Sequence, residues 1–245
     1  MKGYLVRIGV DQVYGRWNAP VDPATGEFVY VPIPDGDAKL YASGLKREYG
    51  EFVEPLSEFS RRFPEGHPSS VALPRALLTK KLHLDPDFDY LTYGDNGARR
   101  GAGISKLERD DLVVFYAGLR PITARAGLVY ALVGILVVDE IIAAQTVETA
   151  RRMENAHTRW SSIAAEDFVV RGRRRLSGRF DRCVPIGEFR DRAYRVRTEL
   201  ESAWGGLSVK DGYIQRSAVP PAFLAPQLFY EWFIEQDVKL LRRNN

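Results

Sequence analysis

The residues best suited to chemistry lie in two short segments that combine carboxylates with rings and guanidinium groups. The first follows an apolar run near the N-terminus and carries Asp11, Tyr14, Arg16 and Trp17. Side chains that follow a strand are well placed to bind a ligand, because the strand holds their backbone rigid. The same residues also suit a solvated turn in which the Asp11 carboxylate accepts hydrogen bonds from local amides. The sequence leaves both interpretations open.

The second segment lies in a stretch of the chain that is rich in glycine. Thr92, Tyr93 and Asp95 supply a hydroxyl, a ring and a carboxylate, and Arg99 and Arg100 follow them. Backbone amides and guanidinium groups in such a loop can hold phosphate. The segment has neither a Walker loop nor a dinucleotide-binding glycine pattern. It is therefore expected to be an ordinary loop that a ligand can approach closely.

Two apolar runs in the middle of the chain predict the strands that could position a ligand. Residues 112–116 and 128–138 are rich in β-branched and aromatic residues, and a short loop separates them. Runs of this kind form paired central strands. Tyr116 and Arg120 would then lie at the loop end, where a ring and a guanidinium can hold a planar ligand. On pattern alone, a plain core hairpin is the favoured interpretation.

Arginine dominates the positive charge of the chain. The sequence has 27 arginines and 8 lysines, with a net charge of +3, and residues 171–197 alone carry +7. This asymmetry favours a polyanionic partner, although charge can also protect an exposed hairpin edge from pairing. The candidates for contacts with a phosphate backbone are Arg171, Arg173, Arg174, Arg175 and Arg179.

Histidine and cysteine are scarce. The only cysteine, Cys183, excludes an internal disulfide and a cysteine-based zinc site. The three histidines lie in distant segments, so neither a metal nor another cofactor is expected. They are His67, His83 and His157. His157 is followed by Arg159 and Trp160, which makes these three side chains candidates for ligand contacts.

Composition predicts one globular domain over residues 1–245. The chain is 45% hydrophobic and 27% charged, as ordinary globular proteins are. No apolar run reaches the roughly 18–20 residues that span a bilayer, and no export signal is recognisable at the start. We therefore expect a cytoplasmic protein with no membrane partner.

The hydrophobic pattern predicts an α+β fold. Residues 140–157 have an apolar helix face, and residues 171–182 form a basic turn that joins two strands in a hairpin. Residues 28–31 could pair with the first strand. The predicted helices are 56–63, 71–84, 140–157 and 226–243, and the predicted strands are 3–10, 28–31, 112–116, 128–138, 167–171 and 182–186.

Several segments resemble known families. The two central runs followed by a helix resemble the core of PUA-like domains, which include the EVE, ASCH and YTH branches. Most of the chain resembles the third of the nucleotide-modification-associated domain families. The segments that carry this second resemblance are Arg7-Ile-Gly-Val-Asp11 with Tyr30-Val-Pro-Ile-Pro34, Leu91-Thr-Tyr-Gly-Asp95 and Phe115-Tyr-Ala-Gly-Leu119.

The resemblance to PUA-like domains implies a PUA/EVE-like mixed β-barrel or curved sheet flanked by helices. A hairpin core around residues 105–190 and a C-terminal helix at 226–243 would complete the domain. It also implies a role around modified nucleotides. By this likeness Tyr116 and Trp160 would stack on a base, and Asp11, Asp95 and Arg120 would bind its edge or a phosphate.

Three functions are compatible with these observations. The first is a nucleic-acid-binding module, with DNA favoured over RNA, that recognises a modified base in a pocket lined by aromatic residues and arginines. The second is an enzyme that acts on a nucleotide or modified base, with Asp11 and Asp95 as acid–base groups. The third is a protein-interaction domain that forms a homodimer through its aromatic C-terminal helix.

Overall fold

A mixed sheet of eight strands organises the chain in the computed structural model, and a separate two-stranded sheet accompanies it. The structure describes residues 1–63, 71–98, 100–123, 127–215 and 219–245, so His67 and Arg99 lie outside the described residues. The strands are β1 Gly3–Arg7, β2 Pro20–Val21, β3 Thr92–Asn96, β4 Leu112–Pro121, β5 Val129–Ala143, β6 Asp167–Gly172, β7 Gly178–Pro185, β8 Gly187–Arg190, β9 Ala193–Val196 and β10 Leu240–Leu241. The α-helices are α1 Val53–Arg62, α2 Arg75–Leu78, α3 Ala156–Arg159, α4 Thr198–Ala203 and α5 Pro226–Ile234.

The main sheet is open and follows the order β1-β4-β5-β6-β3. β1 runs parallel to β4, whereas the other neighbours along this path are antiparallel. β2 adds to β4, β7 adds to β5, and β10 adds to β7. The α+β class is confirmed. In the part of the chain that the structure describes, the sheet does not close into the barrel that the PUA-like resemblance allowed.

The central strand β4 is buried on both faces of the sheet. Val113 and Phe115 pack into one hydrophobic cluster, and Leu112, Val114 and Tyr116 pack into a second one. Successive side chains of a strand point to opposite faces, so a strand covered on both sides needs an uninterrupted apolar run. This requirement explains the sequence of β4.

The predicted central hairpin is confirmed, but its strands are longer than the apolar pattern indicated. β4 continues to Pro121, and Tyr116 pairs with Leu132 in the middle of the sheet. The prediction that Tyr116 lies at the loop end is therefore wrong. Its ring is 1% exposed, and its hydroxyl donates a hydrogen bond to the Ile214 carbonyl at 2.7 Å.

The helix predicted at residues 140–157 is wrong, because β5 continues through that segment to Ala143. Ile141 and Ile142 pair with Val170 and Val169 of β6. Cross-strand pairing of β-branched residues outweighs a helical spacing that the same residues happen to satisfy. Two 3-10 helices, Ala144–Thr146 and Thr149–Glu154, then lead to the short helix α3.

The C-terminal helix predicted at residues 226–243 begins at the expected residue but is shorter than predicted. α5 ends at Ile234, and the chain then returns to the sheet as β10, beside β7. The helix predicted at residues 71–84 is reduced to the four residues of α2. No described helix is long and apolar enough to cross a membrane.

Two predicted hairpins are replaced by longer-range pairings. β6 and β7 do not pair with each other, since each pairs with a different part of β5. Residues 28–31 do not pair with β1, which instead lies parallel to β4. The Val10 amide nevertheless donates a hydrogen bond to the Val31 carbonyl at 2.8 Å. The loop predicted at residues 90–103 contains β3, the last strand along the path of the main sheet.

Candidate functional site

A cavity of about 690 Å³ lies between β1, β3, α3 and two loops. The residues of these two loops that line it fall within the ranges 8–14 and 33–39. Four aspartates, two histidines, two arginines and one lysine line it together with aromatic side chains. Ligand pockets usually have volumes of roughly 300–1,000 Å³ and contain few ionisable groups. The cavity therefore has the size of a small-molecule site but an unusually dense set of charges.

Asp11 lies in one wall of the cavity and also caps a turn, as the second interpretation of its sequence context predicted. Its carboxylate pairs with Arg7 at 2.9 Å and accepts hydrogen bonds from the Val13 and Tyr14 amides at 2.7 Å each. Tyr14 lines the cavity with its side chain 54% exposed.

The neighbouring residues Arg16 and Trp17 do not line the cavity. Arg16 is exposed, with a backbone φ of 55°. Trp17 is 6% exposed and packs into the hydrophobic cluster that also contains Phe115. Arg120, whose side chain is half-buried, lies away from the cavity as well.

Asp95 lies on a second wall of the cavity, at the end of β3. Its carboxylate accepts a hydrogen bond from the Tyr93 hydroxyl at 2.6 Å, and Arg100 approaches to 3.9 Å. Burial, helped by the negative charge of Asp95, raises the pKa of Tyr93 well above its ordinary value. The Tyr93 phenol is thus a stable hydrogen-bond donor. Thr92 is directed elsewhere, since its hydroxyl donates to the Glu154 carbonyl.

Two histidines and an aspartate converge at the inner end of the cavity. The Asp85 Oδ2 atom lies 3.9 Å from His83 Nε2 and 4.0 Å from His157 Nε2. One ligand atom of each residue lies within 4.8 Å of the other two, which makes the group able to hold a metal ion. The expectation that the histidines remain apart is wrong, because the rings of His83 and His157 are 5.3 Å apart.

A second carboxylate stands behind each histidine ring. His83 Nδ1 lies 3.7 Å from Asp35 Oδ1, and His157 Nδ1 lies 3.6 Å from Asp167 Oδ2. Burial raises the pKa of Asp35, but its neighbours His83, Tyr41 and Trp160 together outweigh burial and the net shift is downward. The pKa of Asp167 is lowered in the same way, against burial, by His157, Asn96 and the Ala164 amide. Both outer carboxylates therefore remain ionised.

Hydrogen bonds to the backbone and to Asn155 fix the orientation of Asp85. Its Oδ1 atom accepts from the Gly94 amide and from Asn155 Nδ2, each at 2.8 Å. Asn155 also caps α3, since its Oδ1 accepts from the His157 amide at 2.9 Å. One asparagine thus links the aspartate and the helix that carries the histidine.

Trp160 closes the cavity beside the histidines. Its indole nitrogen donates to Asp35 at 2.7 Å, and its ring stacks on His83 at 5.7 Å with an interplanar angle of 22°. The Lys39 ammonium lies 3.2 Å from the centre of the same ring. Arg159, by contrast, is fully buried in an ion pair with Asp87 and anchors α3.

The arginines of the basic segment do not form one surface. Arg171 pairs with Glu140 at 2.7 Å and Glu154 at 2.6 Å, and Arg173 pairs with Asp110. Arg179 is 5% exposed, and burial lowers its pKa to about 10.

The other two arginines of this candidate set, Arg174 and Arg175, lie on the surface. Both are exposed, and no hydrogen bond or ion pair within the described part of the chain involves either guanidinium. They are therefore the members of the set that are free to meet phosphate.

Some residues singled out from the sequence line the cavity, whereas most of the residues at its histidine end were not anticipated. The candidates that line the cavity are Asp11, Tyr14, Tyr93, Asp95, Tyr116, His157 and Trp160. His83, Asp85, Asp35 and Asp167 were missed. The available signal was the His83-Leu84-Asp85 spacing, which puts an imidazole and a carboxylate two residues apart in a chain with only three histidines.

Fold and site together define an open mixed-sheet α+β protein with a charged, partly aromatic cavity. The chain belongs to the family described as nucleotide modification associated domain 3, whose model matches residues 2–212. That range contains His83, Asp85 and His157 as well as Asp11 and Asp95. The resemblance to this family that the sequence carries is thereby confirmed, whereas the resemblance to a PUA-like core is not. No curated protein and no solved structure matches the chain.

Proposed function

We propose that the protein is an enzyme that binds a nucleotide, or one nucleotide unit of a nucleic acid, in this cavity and performs an acid–base step on its base. The observation that carries the proposal is that Asp11 and Asp95, which are 84 positions apart in the chain, line one cavity together with two imidazoles. General acid–base catalysis needs such groups within hydrogen-bond reach of the reacting atoms. Membership of a nucleotide-modification family supports a nucleotide as the ligand.

Arg100 is the strongest candidate for binding the phosphate. Its nearest carboxylate, Asp95, is 3.9 Å away, which is beyond hydrogen-bond distance. Its guanidinium therefore keeps donors for another acceptor, and guanidinium binds phosphate through two parallel hydrogen bonds. Arg7 is less available, because Asp11 already accepts from it at 2.9 Å. Tyr14 supplies an exposed ring on which a base can stack.

Calorimetric titration with nucleoside monophosphates and the matching nucleosides tests binding. We expect the monophosphate to bind more tightly, and Arg100→Gln to weaken it about 10- to 100-fold, as loss of a charged hydrogen bond does. Arg175→Gln is the matched control, because Arg175 is exposed and does not line the cavity. Equal affinities for the two ligands, or equal effects of the two substitutions, would contradict the proposal.

The catalytic part needs a separate measurement. Incubation with a panel of modified and unmodified nucleotides, followed by mass spectrometry, should show conversion of at least one member. Asp95→Asn should lower the rate at least tenfold, in line with the roughly 10²–10⁴-fold that general acid–base groups contribute. Tight binding without conversion of any nucleotide or oligonucleotide would leave a recognition protein and exclude the enzyme.

Recognition of a base in DNA is the second candidate, and Arg174 and Arg175 favour it. These exposed guanidinium groups would hold the backbone, while a base extruded from the duplex enters the cavity. Oligonucleotide affinity should then fall with added salt, and removal of each phosphate contact should reduce the logarithmic salt slope by about 1. Negligible binding to DNA and RNA at low salt rules this function out. A lone buried cysteine suits the cytoplasm as the place for either function.

A further inference from the structure

We infer that His83, Asp85 and His157 bind a divalent transition-metal ion of the zinc or ferrous type at the inner end of the cavity. Two imidazole nitrogens and one carboxylate oxygen are the ligand set of catalytic zinc sites and of the non-haem iron facial triad. Neither the family description nor the charge pattern of the sequence assigns this site. Metal binding by these three residues does not depend on the nature of the substrate.

The separations between the three ligands suit an ion of this size. Asp85 Oδ2 lies 3.9 Å and 4.0 Å from the two Nε2 atoms, and all three ligand atoms fall within 4.8 Å of one another. A point equidistant from atoms at such separations is about 2.5 Å from each, and zinc ligands lie at roughly 2.0–2.2 Å. Each side chain therefore has to move by only about 0.4 Å.

The carboxylates behind the rings prepare both histidines to act as ligands. Asp35 and Asp167 face the Nδ1 atoms at 3.7 Å and 3.6 Å, and neither Nδ1 atom has a hydrogen-bond partner at present. A ring whose Nδ1 proton points to a carboxylate presents the Nε2 lone pair on its other side. Metal-binding histidines almost always have such an outer partner, which fixes the tautomer and strengthens the ligand.

The carboxylate charges also favour a cation between the three residues. The carboxylates of Asp35, Asp85 and Asp167 share one buried region. Such a group is repulsive unless a cation lies among its acceptors. Arg159 cannot serve, because Asp87 already pairs with it. A divalent ion would neutralise the group, and its remaining coordination positions would face the cavity, where Asp95 and Tyr93 stand.

Metal binding can be tested on the whole chain without any nucleotide. Protein stripped with a chelator is titrated with Zn²⁺ in competition with a chromophoric chelator, and with Co²⁺ while its visible absorption is followed. We expect one equivalent to bind, and Co²⁺ to give the bands of a site with nitrogen and oxygen ligands. Mg²⁺, which prefers six oxygen ligands, should bind at least 100-fold more weakly.

Substitutions locate the ion. Asp85→Asn and His157→Gln should each weaken Zn²⁺ binding at least 100-fold, and Asp167→Asn should weaken it roughly 10- to 100-fold, as removal of an outer partner does. Asp11→Asn is the matched control, since it makes the same change in the same cavity outside the ligand set. Near-ultraviolet circular dichroism verifies that each variant is folded.

Three results would overturn the inference. They are failure of the unmodified protein to bind an equivalent of Zn²⁺ at micromolar concentration, equal weakening by Asp11→Asn and Asp85→Asn, and binding of Mg²⁺ as tight as that of Zn²⁺. The first needs no variant, so it holds even if every substitution unfolds the chain. Metal binding without nucleotide binding would instead refute only the proposed function.

Discussion

Gly94 determines how closely the two sides of the cavity approach each other. A Cβ atom at this position would lie 2.5 Å from Asn155 Oδ1 and 2.5 Å from His157 Cδ2. The Asn155 side chain cannot move away freely, because it donates a hydrogen bond to Asp85 and accepts one from the His157 amide at the start of α3. A glycine in β3 thus allows the aspartate and the histidine to converge.

Gly94→Ala is therefore expected to destabilise the protein. Forcing a methyl group into packed surroundings costs about 1–3 kcal/mol, and urea unfolding would measure the loss. Gly50→Ala is the control, because a Cβ atom there meets nothing within 4 Å. Equal stabilities of the two variants would show that the contacts at Gly94 yield without cost.

Cys183 makes the stability of the folded protein depend on pH. The side chain is 4% exposed, and burial raises its pKa to about 12. The folded state therefore holds the thiol proton more tightly than the unfolded chain, whose thiol has a pKa of about 8.5. The resulting stability is fully present below that value and is lost as the pH rises toward 12.

By pH 10 this effect should lower the free energy of unfolding by on the order of 1–2 kcal/mol. Urea unfolding at pH 7.5 and pH 10 would measure it, and Cys183→Ala should show a correspondingly smaller decline. The comparison removes contributions from other groups, because both proteins share them. Parallel declines in the two proteins would mean that Cys183 is not the cause.

At the scale of elements, α5 is a core helix rather than a free docking surface. Phe229 is fully buried, with its ring 4.2 Å from Phe223 and 5.2 Å from Trp204. The outward-facing residues of the helix, Leu228 and Ile234, are 46% and 60% exposed. The buried rings of Phe229 and Phe233 are therefore not available to the homodimer expected through this aromatic face.

Phe229→Ala should lower the free energy of unfolding by about 3–5 kcal/mol, as large-to-small changes in aromatic cores do, and should leave the oligomeric state unchanged. Chemical denaturation and sedimentation velocity would measure the two quantities. Leu228→Ala, a change on the exposed side, should have little effect on stability. A dimer that Phe229→Ala dissociates while the chain stays folded would reverse this assignment.

At the scale of the whole molecule, β5 connects the parts of the fold. Its 15 residues pair with β4, β6 and β7, and its side chains contribute to both hydrophobic clusters. Val133 and Leu136 belong to one cluster, and Leu132 and Ile135 belong to the other. Neither face can lose its packing without disturbing the strand that supports the other.

We therefore predict that the chain unfolds as one cooperative unit, as the single-domain expectation requires. Cys183 lies in one cluster and Trp204 in the other. In a urea series of a Trp17→Phe variant, which lacks the tryptophan of the Cys183 cluster, thiol accessibility and tryptophan fluorescence should give the same midpoint, which is the test of a two-state transition. Two separated midpoints would indicate two independently stable units.

Local pattern was enough for strands whose own residues form a continuous apolar run. The runs at β4 and β5 predicted the central hairpin, and Asp167–Gly172 matches the strand predicted at 167–171. It failed where a distant partner decides the structure. The apolar residues of segment 140–143 have a helical spacing, but the segment forms a strand because it pairs with β6.

The sequence by itself determined the α+β class, the central strands and the family, and it pointed to Asp11 and Asp95 as candidate site residues. Only the tertiary structure decided that His83, Asp85 and His157 meet, that Arg179 is buried, and that Tyr116 lies within the sheet. The physical reason is range. Hydrophobic periodicity indicates on which face of its own helix or strand a side chain lies. The positions of these residues relative to one another depend instead on pairing between strands and loops that are far apart in the chain.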